Sequence, residues 1–214
     1  MSLPAQSAGM CAIVLAAGKS ARMGRPKMLL PFGDRPMLAR VIESLRYVDG
    51  VFPVIVVTGH NAEEIGAVVV EFSGVECVHN VDSAAGGMLS SVKVGVAALP
   101  SDCRAFFLVL GDQPMVQTDT IAEMESAWHR DAAPIVVPAF QGKRGHPVLL
   151  SSEFATEILA LSDPDTLKTV VSRDADRIRV VEVNDPAVTQ DIDTPEDYEA
   201  ALKRWNELGS YTKA

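Results

Sequence analysis

Aromatic residues, cysteines and long apolar runs are all scarce in this sequence. Phe, Trp and Tyr make up 6% of its 214 residues. The apolar weight therefore rests on Val, Ala, Leu and Ile, a mix suited to buried parallel strands covered by helices. The cysteines, Cys11, Cys77 and Cys103, are odd in number and widely spaced, with no CxxC pair and no zinc-ligand spacing. Each lies in or beside an apolar run, so three buried thiols in a reducing compartment are expected. No apolar run nears the roughly 20 residues that span a bilayer. Met1 to Gly9 also lacks the charged region and apolar core of a secretory signal. A cytoplasmic protein without membrane contact is expected. Residues 1–9 are read as a disordered segment and 10–208 as one domain. Positive charge is in deficit, with 19 Lys and Arg against 28 Asp and Glu and a formal net charge of -9. Such a surface repels a phosphodiester backbone, which excludes broad nucleic-acid binding but not one mononucleotide in a locally basic loop.

What is present is an alternation. CAIVLA (11–16), FPVIVVT (52–58), VECVH (75–79), AFFLVL (105–110), PIVVP (134–138) and RIRVVEV (177–183) are short and bounded by turn residues, as strands are. Helical spacing separates them. Pro36 to Tyr47 puts Met37, Leu38, Val41, Ile42 and Leu45 on one face. Asn61 to Glu71 opens on an N-cap residue, and Gly87 to Leu99 and Thr118 to Arg130 follow the same pattern. A last helix starts at Thr194-Pro195, with Glu196 and Asp197 at its positive end. Strand and helix in turn predict an α/β fold: one domain, a mostly parallel sheet, helices on both faces. Such sheets bind ligands at the carboxyl ends of their strands. The stretch PAFQGKRGHPVLL (138–150) breaks the alternation. Its prolines suit edge positions, so a hairpin-like excursion over the active face is expected.

The first strand runs into LAAGKSARMGRPKMLL (15–30). Gly18 and Gly24 bracket a run with Lys19, Arg22, Arg25 and Lys27, a local reversal of sign in an acidic chain. Glycine lets backbone N–H groups approach phosphate closely. Arg22 offers a planar fork and Lys27 a point charge. The stretch is neither a Walker A loop nor the GxGxxG fingerprint. A solvated basic loop is the alternative reading.

Two carboxylate sites stand out. AFFLVL ends in Gly111-Asp112-Gln113-Pro114, which puts Asp112 at the ligand edge of the sheet. Mg2+ prefers oxygen and is often held by one or two carboxylates plus substrate phosphates. Far along the chain, Asp191 and Asp193 straddle one residue in QDIDTPEDY (190–198) and would point the same way in an extended segment. Asp193 or Thr194 could equally cap the last helix.

The long pattern LAAG-x-S-x-R-M-G-x-P-K-x-L-L resembles the signature of the MobA-like nucleotidyltransferases, and within them most nearly that of the molybdenum cofactor cytidylyltransferases. GDQP, DIDTPEDY, Asn80-x6-Gly87-Met88-x2-Ser91 and Gly142-Lys143-Arg144-Gly145-His146-Pro147 resemble that family's other blocks, in the same order. The resemblance implies a Rossmann-like nucleotidyltransferase fold and transfer of CMP from CTP to molybdopterin-bound molybdenum cofactor, with release of pyrophosphate. It implies Mg2+ held by Asp112 and Asp193, with Arg22 and Lys27 stabilising the leaving group. Leu15, Ala16, Ala17, Gly18, Ser20, Gly24 and Gly111 would line the nucleotide, with Thr58 and Gly59 of VTGHN (57–61) beside the nucleoside. His60 there is read as a surface histidine more readily than as a ligand. Asn80, Gly87, Met88 and Ser91 would belong to the nucleotide site, where Gly86, Gly87, Ser90 and Ser91 could hold phosphate at a helix N-terminus, and Arg144 and His146 would face the acceptor. Guanylyl-transferring relatives carry LAGG where this chain has Leu15-Ala16-Ala17-Gly18, which favours CTP. The family's GDxGAR-like stretch is replaced by Ser162-Asp163-Pro164-Asp165-Thr166-Leu167-Lys168, where Asp163-Pro164 reads as a helix start. That departure bears on the acceptor. A GTP-dependent guanylyltransferase, a sugar- or alditol-phosphate nucleotidyltransferase and a non-catalytic cofactor carrier serving a molybdenum enzyme are the alternatives.

Overall fold

Successive residues of a strand point to opposite faces of its sheet, and here both faces are covered. The structure is a computed structural model that describes residues 9–162, 165–173 and 175–211. The expected disordered segment falls outside these residues except for Gly9, as does the expected helix start at Asp163-Pro164. β1 (Met10–Ala16) sends Ala12, Val14 and Ala16 into one core and Cys11, Ile13 and Leu15 into the other. A small hairpin of β2 (Pro31–Phe32) and β3 (Arg35–Pro36) leads into α1 (Met37–Arg46). Next come β4 (Val51–Thr58), α2 (Ala62–Val69), β5 (Val75–His79) and α3 (Gly87–Ala97). Then follow β6 (Ala105–Leu110), α4 (Thr118–Asp131), β7 (Ile135–Phe140), β8 (Lys143–Arg144) and β9 (Val148–Ser151). The chain closes with α5 (Ala155–Ala160), α6 (Leu167–Ser172), β10 (Ile178–Glu182) and α7 (Pro195–Tyr211).

The main sheet runs β10-β7-β9-β6-β1-β4-β5, with β8 on β7. β1 pairs in parallel with both β4 and β6, and β4 with β5. Chain order therefore reverses between β1 and β6, and the crevice at a reversal is where such sheets take their ligands. One core lies under α1, α2 and α4, the other under α3, α5 and α6. Ile13, Phe106, Phe107 and Leu108 are fully buried at the centre. Burying each such side chain is worth about 1.5–3 kcal/mol.

Three expectations are corrected. In the stretch 138–150 the expected hairpin is present, with Ala139 and Phe140 pairing with Arg144 and Lys143 across Gln141-Gly142, but it is no excursion, because β9 lies inside the sheet, antiparallel to both β6 and β7. Its residues alternate between the two cores, Leu149 into one and Val148 and Leu150 into the other. The prolines are tolerated because neither withholds a donor from a ladder: Pro138 stands opposite Val181 of β10, but its carbonyl accepts from Gly145 N–H on the other edge of β7, the side its ring nitrogen also faces. β7 pairs with β9 through Ile135 and Val136 and with β8 through Ala139 and Phe140, so Pro138 falls in the gap between them. Pro147 sits one residue ahead of β9. The second correction is Cys77, which is exposed on the edge strand β5, while Cys11 and Cys103 are buried. The third is Asn61, which precedes α2 in the left-handed conformation and makes no side-chain cap. Its short polar side chain makes that conformation accessible.

Candidate active site

The loop after β1 has an apolar underside. Met23 and Leu30 are buried with Phe32, Met37, Ile192 and Tyr198 in a third, smaller core beneath α7. Gly18, Lys19, Arg22, Gly24 and Arg25 are exposed on its outer side. Two tight turns, at Ala21–Met23 and Lys27–Leu29, give the loop its shape, and Gly24 takes a positive φ between them. The Lys27 N–H donates to Ser20 Oγ at 3.1 Å and closes the first turn onto the second. At Gly18 an added Cβ would meet no protein atom within 4 Å, so packing does not demand glycine there.

Lys27 points the other way. Only 8% of it is exposed, and its ammonium donates to Asp112 Oδ2 at 2.6 Å, Asp193 Oδ1 at 3.0 Å and the Ile192 carbonyl at 3.0 Å. Arg22, largely exposed, donates to the other Asp193 oxygen at 2.8 Å. The start, middle and end of the chain meet at this point. Asp112 arrives because the β1–β6 ladder continues one step past its strands, with Gly111 N–H donating to the Leu15 carbonyl at 3.1 Å. A Cβ on Gly111 would stand 2.9 Å from that carbonyl and 3.0 Å from Met28 Sδ, so only glycine lets the two loops come this close. Asp193 is free to take part because the helix cap falls to its neighbours. Thr194 Oγ1 accepts from Asp197 N–H, and the Asp197 carboxylate accepts from the N–H groups of Thr194 and Asp193.

Burial and pairing act differently on the two carboxylates. Burial pushes Asp112 above the ordinary carboxylate value, against the pull of the Lys27 ammonium. Asp193 is better solvated, and its hydrogen bond from Lys27 holds it below that value. Burial disfavours charge on Lys27 too, but Asp112 and Asp193 outweigh it and hold the ammonium above the ordinary lysine value.

On the side toward β9, His146 donates its backbone N–H to the Val188 carbonyl at 2.8 Å. Burial lowers the pKa of its ring, opposed by Asp191, Asp112 and a backbone hydrogen bond at Leu108. Burial thus favours the uncharged ring, and its Nδ1 is buried without a partner among the described residues. Arg144, on β8, is exposed and forms no ion pair among the described residues. Asp191 is exposed and accepts from Gln113 Nε2 at 2.8 Å, so it and Asp193 go to different partners.

On the side toward β4, a Cβ on Gly59 would lie 2.5 Å from Ser83 Oγ and 2.9 Å from Ala17 Cβ. Ala17, Gly59 and Ser83 thus form one lip of the crevice. Thr58 is buried and donates to the Val78 carbonyl, while His60 is exposed. Asn80 is also buried. Its amide nitrogen donates to Ser90 Oγ and Ser91 Oγ at 2.8 and 2.9 Å, and its oxygen accepts from Asp82 N–H at 3.0 Å. The side chain thereby fixes the start of α3, where Gly87 and Met88 are exposed.

Four residues that sequence reasoning passed over take part. Gln113 orients Asp191, and its neighbour Asp112 was the available signal. Ser83 completes the lip but falls on an unspecified position of the Asn80-x6-Gly87 block. Tyr198 donates to the Pro31 carbonyl at the end of the basic loop, and Arg25 lies 5.9 Å over its ring. Asp185 is buried and accepts from Gln117 N–H, Thr120 Oγ1 and Ala187 N–H, which fixes the segment that carries Val188.

The donor set around Asp112 and Asp193 fits a hard divalent cation. Two carboxylates already enclose one cationic nitrogen, and oxygen donors suit Mg2+ or Mn2+. Among the described residues no group of three or more His, Cys, Asp or Glu is placed to hold a metal. Two carboxylates are also the protein's usual share when substrate phosphates complete the shell. No described helix is long and apolar enough to cross a membrane.

Comparison with known proteins gives the same picture. The family model for the MobA-like NTP transferase domain matches residues 12–178. A molybdenum cofactor cytidylyltransferase of Escherichia coli (strain K12) is 31% identical over 198 residues, 92% of this chain and 97% of its own. Rv0371c of Mycobacterium tuberculosis H37Rv, solved as a complex with manganese, superposes with a TM-score of 0.75 at 28% identity, covering 91% of this chain and 98% of that one. A Methanothermobacter nucleotidyl transferase, Mth528, gives a TM-score of 0.77 at 25% identity, over 94% of this chain and 99% of its own.

Proposed function

The chain belongs to the MobA-like NTP transferase family and is a nucleotidyltransferase, and from that premise we propose that it transfers CMP from CTP to molybdenum cofactor, with Mg2+ as its cation. The observation that carries the reading is the convergence of Asp112, Asp193, Lys27 and Arg22 at the carboxyl ends of β1 and β6.

In this reading the triphosphate lies along the outer side of the basic loop. The open space at Gly18 lets phosphate approach the backbone, and Ser20 and Gly24 keep the loop in shape. Leu15 and Ala16 end the strand beneath it. Asp112 and Asp193 would hold the cation, whose chemistry when bound would be to neutralise charge on the phosphates. Arg22 is free on its solvent side to meet the departing pyrophosphate through its planar fork. Ala17, Thr58 and Gly59 bound the nucleoside, and Asn80 and Ser91 place the start of α3, with Gly87 and Met88, beside it. An acceptor phosphate is already anionic at neutral pH, so no base is required. Alignment of the attacking oxygen with the α-phosphorus is the main task of the protein. His146 stands on the acceptor side of the crevice, and Arg144 offers the acceptor's phosphate a charge. CTP is favoured by Ala16-Ala17-Gly18 and by the name of the Escherichia coli relative, which also supports the acceptor.

The test is pyrophosphate release with purified molybdenum cofactor, Mg2+ and CTP, GTP, ATP or UTP offered separately. Turnover with CTP alone, lost in Asp112→Ala, is the expected result. Turnover with GTP instead would overturn the base assignment. No release with any nucleotide, with acceptor binding retained in Asp112→Ala, would point to a carrier.

A further inference from the structure

An ammonium group has three N–H donors. In Lys27 all three are taken, by Asp112 Oδ2, Asp193 Oδ1 and the Ile192 carbonyl. None remains for a phosphate. The nitrogen sits between the same two carboxylates to which the transferase reading assigns the divalent cation, within 3.0 Å of an oxygen of each. Two cations cannot share that position. A divalent ion bonded to both carboxylates would stand where the ammonium stands, and their mutual repulsion at such a distance would be severe.

The surroundings suit a group that holds the site and then leaves it. The Lys27 backbone is anchored by its bond to Ser20 Oγ and by the tight turn that follows, so release of the ammonium need move only the flexible side chain. Lysine is apt for this, because its ammonium is a point charge on a four-carbon stem, whereas an arginine fork would lock onto a carboxylate in two places. Arg22 binds the outer oxygen of Asp193, the one Lys27 does not use. Without any cation, Asp112 and Asp193 would face each other as like charges in a half-buried site.

We propose that Lys27 is an internal counter-ion that competes with the divalent cation for Asp112 and Asp193, so that entry of the cation displaces the ammonium and frees its donors for the nucleotide's phosphates. The proposal rests on the transferase reading for the identity of the cation site. It couples two events that would otherwise be independent: cation binding arms the phosphate loop, and phosphates that draw Lys27 away open the carboxylates to the cation.

Binding of Mn2+ alone, with no nucleotide, tests it by electron paramagnetic resonance. Lys27→Met removes the competitor, and its dissociation constant for Mn2+ is expected to fall about tenfold or more below that of the unaltered protein. An unchanged or weaker affinity would overturn the proposal, since a lysine that served only the phosphates would leave nucleotide-free binding as it was. A second measurement uses the unaltered protein. Reaction of lysine amines with a small acylating reagent, followed by mass spectrometry, reads the exposure of Lys27. Saturating Mn2+ should raise its rate of modification severalfold while exposed Lys203 stays constant. Saturation with no change at Lys27 would equally defeat the idea. Failure of nucleotidyl transfer with every nucleotide would remove the transferase reading, and these two measurements would still decide the competition.

Discussion

At Asp112 the side chain is held in a place that resists its charge, and its lysine partner is buried with it. Asp112→Ala removes one wall of the cation site and leaves the ammonium with Asp193 and one carbonyl. Turnover should fall by about a hundredfold or more. Breaking one side of a buried ion pair should also cost about 3 kcal/mol of stability. A pyrophosphate assay and a thermal melt separate the two effects, and a variant with full turnover would remove Asp112 from the chemistry. Gly145 offers a different test. A Cβ there would stand 1.9 Å from the Val188 carbonyl, which is also the acceptor for His146 N–H. Gly145→Ala must displace the loop before β9 from the turn that carries Val188, at about 1–3 kcal/mol. Because His146 moves with that loop, the KM for the acceptor should rise more than the KM for the nucleotide. An equal rise in both would place the disturbance outside the acceptor side.

Among the elements, those built on local pattern were legible. β1, β4, β5 and β6 alternate or run apolar between turn residues, and their observed bounds differ from the expected ones by a residue or so. β9 was not legible as a central strand, since its place between β6 and β7 is set by tertiary pairing and the flanking prolines argue locally for an edge. The α7 cap was open in the same way. Two adjacent residues can both cap, and only the bonds of Asp197 assign the task to Thr194 and leave Asp193 to Lys27. Another tie joins α4 to β10, where the Asp131 carboxylate pairs with Arg179 at 2.9 Å and with its neighbour Arg130. The hydrogen bond from Arg130 holds Asp131 below the ordinary carboxylate value. A depressed carboxylate adds stability that is present above its unfolded pKa and lost as pH falls through its folded one. Asp131→Asn should therefore melt slightly lower than the unaltered protein at pH 7, a small effect for an exposed pair. The gap should close as the pH drops below the ordinary carboxylate range. A gap that persists in acid would show that charge is not its source.

For the whole molecule the net charge of -9 and the cationic loop describe one design, in which the surface repels polyanions except where the crevice opens. The sequence carried this much, as well as the order of the blocks that line the crevice. It did not carry the inward turn of Lys27, because a lysine in a basic loop reads as solvent-facing until its partners from residues 112 and 193 are placed. Ligands that bind only the assembled crevice must stabilise the fold by mass action, about 2.7 kcal/mol at a hundredfold excess over the dissociation constant. CTP with Mn2+ should raise the melting temperature accordingly, by more than either alone, and a shift no greater than that of CTP alone would argue against a shared site. The junction of Lys27, Asp112 and Asp193 has one more consequence. It draws on the second tenth of the chain, its midpoint and its last tenth. A nascent chain emerging from the ribosome can form most of the sheet before Asp193 appears, yet it has no finished cation site until then. Circular permutation that joins the old ends and opens an exposed loop elsewhere would change the order in which these three residues are synthesised, and with it the moment at which the enzyme becomes competent.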